Sequence, residues 1–168
     1  VAVNLIIGTN SYVTIPEAEE YFAIRLFTDV WQSAGADQKA QALIMASKRI
    51  DRLKLRGKKA DVNQTMKFPR AVYMDSPSAI LSTSVTYTSL PGWVVETEVS
   101  REVKEAVCEE ALALLKGVSK RIELQAQGVH SFQIGNLTET YTGEVVKLLS
   151  PDAKELLRKY MAGSVTII

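Results

Sequence analysis

The sequence predicts a mainly α protein: a small bundle of about four helices, a β-ribbon or long-loop excursion, and extended terminal arms. Three observations predict it. Apolar residues recur at helical spacing in four stretches, each preceded by a capping residue (Thr14, Asp37, Ser100, Ser150). Between Ser76 and Ser89 eight residues are Ser or Thr, mixed with Ile80, Leu81, Val85 and Tyr87, which suits turns and strands better than a helix. Residues 120–142 alternate in strand fashion. A length of 168 residues fits one domain, 1–168.

The elements follow in order. Val1 to Gly8 is apolar and short, and reads as a strand or an extended arm. It is too short for a spanning helix, which needs about 20 apolar residues, and it lacks the basic leader of a signal peptide. Thr14-Ile15-Pro16-Glu17 has the form of a capping box with Pro in the first turn. Ala18, Tyr21, Phe22, Arg25 and Leu26 continue it, so the first helix is expected to run to Leu26. A second turn falls around Asp29-Val30-Trp31-Gln32. Asp37 opens a longer helix to Leu53 or Leu55, with Ala40, Leu43, Ile44, Ser47, Ile50 and Leu53 inside and Gly57 as its stop. Residues 57–70 read as a loop, and 71–99 as the Ser/Thr-rich, β-leaning excursion.

Ser100 caps a helix from Arg101 to Leu115. Val103, Ala106, Val107, Ala111, Leu114 and Leu115 make so broad an apolar stripe that this helix belongs at the centre. Within 120–142, Gly128 and Gly135-Asn136 mark turns of the ribbon. Ser150-Pro151 opens a last helix through Ala153, Leu156, Leu157, Tyr160 and Met161. After Gly163 the chain finishes as an apolar arm, 163–168. That arm has two readings, a return to its own core or an added strand on another subunit.

Composition narrows the function. Lys and Arg number 20 against 19 Asp and Glu, with one Cys, one His and 46% hydrophobic residues. The apolar fraction suits a soluble, cytosolic globular protein. One Cys excludes an internal disulfide and one His excludes His-pair metal motifs, so no metal or cofactor is expected. No phosphate-binding loop, Gly-x-Gly-x-x-Gly or His-Glu-x-x-His motif occurs. Cys108 lies mid-helix beside Glu105, Glu109 and Glu110, which oppose a thiolate, and it reads as a buried structural Cys. His130 beside Ser131 reads as a surface or interface residue, because adjacent ribbon residues point to opposite faces. No enzyme is expected.

Charge placement says more than net charge. From Lys48 to Arg70 there are nine basic residues (Lys48, Arg49, Arg52, Lys54, Arg56, Lys58, Lys59, Lys67, Arg70) and two acids, net +7. From Ala71 to Leu115 there are seven acids (Asp75, Glu96, Glu98, Glu102, Glu105, Glu109, Glu110) and two basic residues, net −5. The basic segment can be a solvated helix face, a surface that meets the acidic segment of another copy, or a phosphate-contacting surface. Aromatic interleaving for base stacking is poor, since only Phe68 lies inside the segment.

Three stretches resemble a known family. They are Asn10-Ser11-Tyr12-Val13-Thr14 through Glu17-Ala18-Glu19-Glu20-Tyr21-Phe22 to Arg25-Leu26; Trp31 with 42–51, Arg56-Gly57-Lys58-Lys59, Gln64 and Phe68-Pro69-Arg70; and 103–109 followed by a ribbon ending 135–141. In this order they resemble the head–tail connector (adaptor, or head-completion) proteins of tailed bacteriophages, some of which carry the label "DnaT-like single-stranded DNA-binding protein". The resemblance implies a structural virion protein of the neck, assembled in the bacterial host cytoplasm. It implies a dodecameric ring beneath the portal protein, a downstream neck or tail-completion partner, and genomic double-stranded DNA passing non-specifically through the channel.

On that footing Lys48, Arg49, Arg52, Arg56, Lys58 and Lys59 are subunit-interface or DNA-facing candidates, and Glu102, Glu105 and Glu109 are acidic interface candidates. Leu156, Leu157, Tyr160, Val165, Ile167 and Ile168 are candidate anchors to a neighbour or the portal. The alternative is a single-stranded DNA-binding protein that uses the basic 48–70 segment.

Overall fold

The computed structural model describes residues 3–73, 85–87, 93–117, 131–134, 137–140 and 148–162. The fold is mainly α with a small sheet. The helices are α1 (Ile15–Ala23), α2 (Asp29–Ser33), α3 (Ala36–Asp51), α4 (Arg101–Lys116) and α5 (Pro151–Leu156), which passes into a 3-10 turn, Arg158–Tyr160. The strands are β1 (Lys58–Lys59), β2 (Arg70–Tyr73), β3 (Val85–Tyr87), β4 (Trp93–Glu96), β5 (Ser131–Ile134) and β6 (Leu137–Thr140).

Helix α4 is central, as its wide stripe predicts, and packs against α1, α2, α3 and α5. Val103, Ala106, Val107, Cys108, Ala111 and Leu112 are all buried there. Phe22, Trp31, Leu43, Ile50, Leu157 and Tyr160 close around them. Burying one such Phe, Leu or Ile contributes about 1.5–3 kcal/mol. The Cys108 thiol is pushed up to about 12 by burial, with Glu109 and Glu105 adding to it. It is therefore a packing group at neutral pH.

The helix ends depart from expectation in instructive ways. The Thr14 capping box forms: Glu17 N–H donates to Thr14 Oγ1 at 3.3 Å, and Thr14 N–H donates to Glu17 Oε2 at 2.8 Å. Yet α1 stops at Ala23 and not at Leu26, and Ile24, Leu26 and Phe27 are exposed, with Phe27 at φ 60°. Gly35, not Asp37, is the N-cap of α3, where Gln38 Oε1 accepts the Gly35 N–H at 3.0 Å. Ser100 holds the N-cap position of α4 but does not bond the helix amides; its Oγ lies 2.8 Å from the Tyr160 hydroxyl. Ser150 does cap α5, accepting from Ala153 N–H at 3.2 Å.

Helix α3 ends at Asp51, short of Leu53. Gly57 lies beyond it and serves the sheet instead. Its φ is +72°, and a Cβ there would fall 2.1 Å from the Ala71 carbonyl oxygen. Only glycine lets the chain approach β2 this closely. The expected loop at 57–70 thus contains β1, which pairs antiparallel with β2.

The sheet has the order β1-β2-β4-β3. Register sets Ala71 opposite Val95, Val72 opposite Val94 and Tyr73 opposite Trp93. Because side chains alternate along a strand, Arg70, Val72, Val94 and Glu96 share one face, and all four are buried. Lys58, Ala71, Tyr73, Trp93 and Val95 take the other face. The ribbon strands β5 and β6 pair antiparallel from Ser131–Thr140 to Ile134–Leu137. At the N-terminus, Ile7 makes one isolated bridge with Ser11, and Asn10 Oδ1 accepts the Ile6 N–H at 2.7 Å. This segment is a folded-back arm and not a strand of the sheet.

Candidate functional site

The charged segments are partitioned unequally between core and surface. On the acidic side, Glu110 is 0% exposed, accepting from Arg49 Nη1 at 2.9 Å and from the N–H groups of Leu149 and Ser150, both at 2.9 Å. Glu109 is 5% exposed and accepts from Tyr21 Oη at 2.6 Å and Arg25 Nη2 at 3.0 Å. Its carboxyl lies below the usual range: burial would raise it, but the Arg25 and Tyr21 hydrogen bonds outweigh burial. Glu96 is buried, accepting from the Tyr160 hydroxyl and from Arg70 N–H at 3.1 Å. Here burial prevails and raises its carboxyl. Glu102 meets Lys159 at 2.8 Å and Glu105 meets Arg101 at 2.7 Å. Glu98 stays exposed.

Glu109 is therefore corrected from an interface candidate to an internal ion-pair residue, because its carboxylate is closed off by its own chain. Glu102 and Glu105 are paired across their own surface. Two anchor candidates are corrected for a similar reason: Leu157 and Tyr160 are buried in the chain's own core, and Leu156 packs partly buried against it. Val165, Ile167, Ile168 and His130 lie outside the described residues, as does most of the 76–90 stretch.

The basic segment behaves differently. Arg70 is buried, and its guanidinium donates to the carbonyls of Arg56 at 2.8 Å, Gly57 at 3.0 Å and Lys67 at 3.1 Å. Arg49 is committed to Glu110. Lys59 Nζ donates to the Gln64 carbonyl at 2.8 Å, and Lys67 Nζ to the Leu53 carbonyl at 2.9 Å. Arg70, Lys59 and Lys67 hold the 52–70 segment in place, while Arg49 joins α3 to α4. Lys48, Arg52, Lys54 and Arg56 remain exposed, and among the described residues no carboxylate pairs with them. Lys58 is exposed too, with Nζ 4.9 Å from the centre of the Trp93 ring.

The sheet supplies what the segment lacks. Phe68, the one aromatic inside it, is buried between Tyr12 and Tyr160. Tyr73 and Trp93, outside the segment in sequence, are brought beside Lys58 by strand register. Their rings stand 5.9 Å apart at 71°, edge to face, and Tyr73 is 50% exposed. Lys54, Tyr73 and Trp93 were not among the sequence candidates. Strand parity at 70–73 and 93–96 is the signal that locates the aromatic pair, and the pairing of the two strands had to be known to use it.

One family model matches residues 4–168, under the description "Putative DnaT-like ssDNA binding protein". The chain belongs to that family. No curated protein and no solved structure matches it. The match overturns the head–tail connector resemblance, and with it the dodecameric ring, the portal and neck partners and the double-stranded DNA channel. The matched description concerns single-stranded DNA, and nothing found points to a connector. The stretches that suggested the connector are largely core or scaffold here: Tyr12, Val13, Phe22 and Trp31 are buried, and Gly57 and Arg70 organise the sheet.

Proposed function

We propose that this protein binds single-stranded DNA, using the exposed cations at the end of α3 and on β1 as its phosphate-contacting surface. The observation that carries the reading is the charge partition. The acidic span spends Glu96, Glu109 and Glu110 inside the fold, whereas Lys48, Arg52, Lys54 and Arg56 face solvent without a carboxylate partner among the described residues. A chain of formal net charge +1 thereby gains a locally positive surface. The family description agrees with that chemistry. The role of these residues is binding and not catalysis. Cys108 is inert by burial, and Arg25 neutralises Glu109 together with Asp152, 3.0 Å from its Nη2.

The test is the affinity for a labelled oligothymidylate at ~50 and ~200 mM salt, read by fluorescence anisotropy. Phosphate contact requires binding at the lower salt that weakens steeply at the higher. No binding at the lower salt, or binding indifferent to salt, would overturn the proposal.

A further inference from the structure

The geometry points to a base-stacking subsite on the outer sheet face: Tyr73 receives the face of an unpaired nucleobase, Trp93 braces Tyr73, and Lys58 holds the adjoining phosphate. This inference rests on the single-strand reading above and adds to it the group that would distinguish a single strand from a duplex.

The argument starts from exposure. Tyr73 is 50% exposed at the end of β2, although aromatic side chains of this size usually gain by burial. Its neighbours hold it in place. Trp93 sits directly opposite in the antiparallel register and contacts it at 71°, an edge-to-face pairing that fixes ring orientation. Beyond Trp93, Lys58 places its ammonium 4.9 Å from the indole centre. That contact orders a flexible side chain next to the aromatic pair.

Cation and aromatics thus lie on one sheet face, Lys58 on β1 and Tyr73 and Trp93 on β2 and β4. This is the combination that single-strand binding uses. Every base has a π-face that can stack on an aromatic ring, while a cation next to it tracks the backbone. A duplex hides those faces within its own stack, so the platform has nothing to receive from it. The exposed cations Lys48, Arg52, Lys54 and Arg56, which no carboxylate pairs with among the described residues, precede β1 in the chain and supply the charge complementarity for a polyanion.

The experiment compares three probes of equal length: oligothymidylate, an abasic deoxyribose-phosphate oligomer, and a duplex. Each is titrated against wild type, Tyr73→Ala and Tyr73→Phe. Tyr73→Ala should lose at least about fivefold in affinity for oligothymidylate, the lower end of what one stacked base supplies. Its salt dependence should stay unchanged, and Tyr73→Phe should bind like wild type. The abasic oligomer and the duplex should bind wild type more weakly than oligothymidylate and respond little to Tyr73→Ala. Quenching of Trp93 emission by oligothymidylate should disappear in Tyr73→Ala; the second tryptophan, Trp31, is buried and reports no contact.

Equal binding of abasic and thymidylate oligomers by wild type would overturn the stacking subsite and leave phosphate binding standing. Failure of wild type to bind either would overturn both. A thermal melt of Tyr73→Ala matching wild type excludes unfolding as the cause of a loss.

Discussion

The charge partition makes a quantitative prediction about salt. Each phosphate neutralised on a single strand releases counterions, so log K falls against log salt with a slope of about −0.7 per contact. Lys48, Arg52, Lys54, Arg56 and Lys58 are the exposed cations of the segment. If each engages one phosphate, the slope is about −3.5, and affinity falls about 100-fold between ~50 and ~200 mM salt. Replacing Lys48, Arg52, Lys54 and Arg56 together by Ala leaves one contact. The slope then shrinks to about −0.7 and the same salt change costs about threefold. Among the described residues these side chains make no ion pair, so each substitution should move stability by no more than about 0.5 kcal/mol. Arg158→Ala is the matched control, because Arg158 already meets Glu155 at 3.1 Å and its charge is locally balanced. Anisotropy titrations at four or more salt concentrations measure all three slopes. A quadruple variant that folds normally and keeps the wild-type slope would refute the assignment of phosphate contact to this segment.

Other consequences concern the scaffold beneath the surface. Glu110→Ala strips a buried carboxylate from Arg49 and from two backbone N–H groups, and should cost about 3–5 kcal/mol in urea denaturation. Gly57→Ala forces a Cβ against the Ala71 carbonyl at positive φ, and should destabilise by about 2 kcal/mol or more while weakening oligonucleotide binding through displacement of Lys58. Glu96 has a carboxyl raised by burial, so its favourable contribution is complete below the unfolded-state value and is lost as pH rises through the folded one. The stability difference between wild type and Glu96→Gln should therefore shift against wild type on going from about pH 4 to neutral pH, measured by denaturant midpoints. A difference that grows in favour of wild type over that range would contradict the burial argument.

The helices were legible because their signals are local. Thr14 with Glu17, and Ser150 with Pro151, each state a helix start within four residues, and the stripe of α4 announces a central helix by itself. The mistakes came where a local signal was diverted by a distant partner. Ser100 carries the right residue for a cap, but its hydroxyl turns to Tyr160, sixty residues away in sequence. Gly57 follows a helix as a stop signal should, yet its conformation answers to Ala71. Glu109 and Glu110 are adjacent on a helix, where a solvated face is the usual outcome. Arg25, just past the end of α1, and Arg49, on α3, bring them inside instead. The aromatic pair was illegible for the same reason: Tyr73 and Trp93 become neighbours only through strand register.

Sequence order made the basic and acidic segments look like two complementary faces, suited to contact between copies. Such contact needs both charges at the surface. A carboxylate that is 0% exposed and accepts three hydrogen bonds within its own chain, as Glu110 does, is out of a partner's reach, and removing it from that site would leave an uncompensated guanidinium at Arg49. The buried acids Glu109 and Glu110 thus act as internal fasteners. Glu110 ties α4 to α3 and to the start of α5, and Glu109 ties α4 to Tyr21 on α1. Among the described residues, Lys48, Arg52, Lys54 and Arg56 have no carboxylate partner of this kind. Exposed cations clustered in this way repel one another and raise the local concentration of anions. On the proposed function, single-stranded DNA would meet these cations from Lys48 on α3 to Lys58 on β1, beside the aromatic pair.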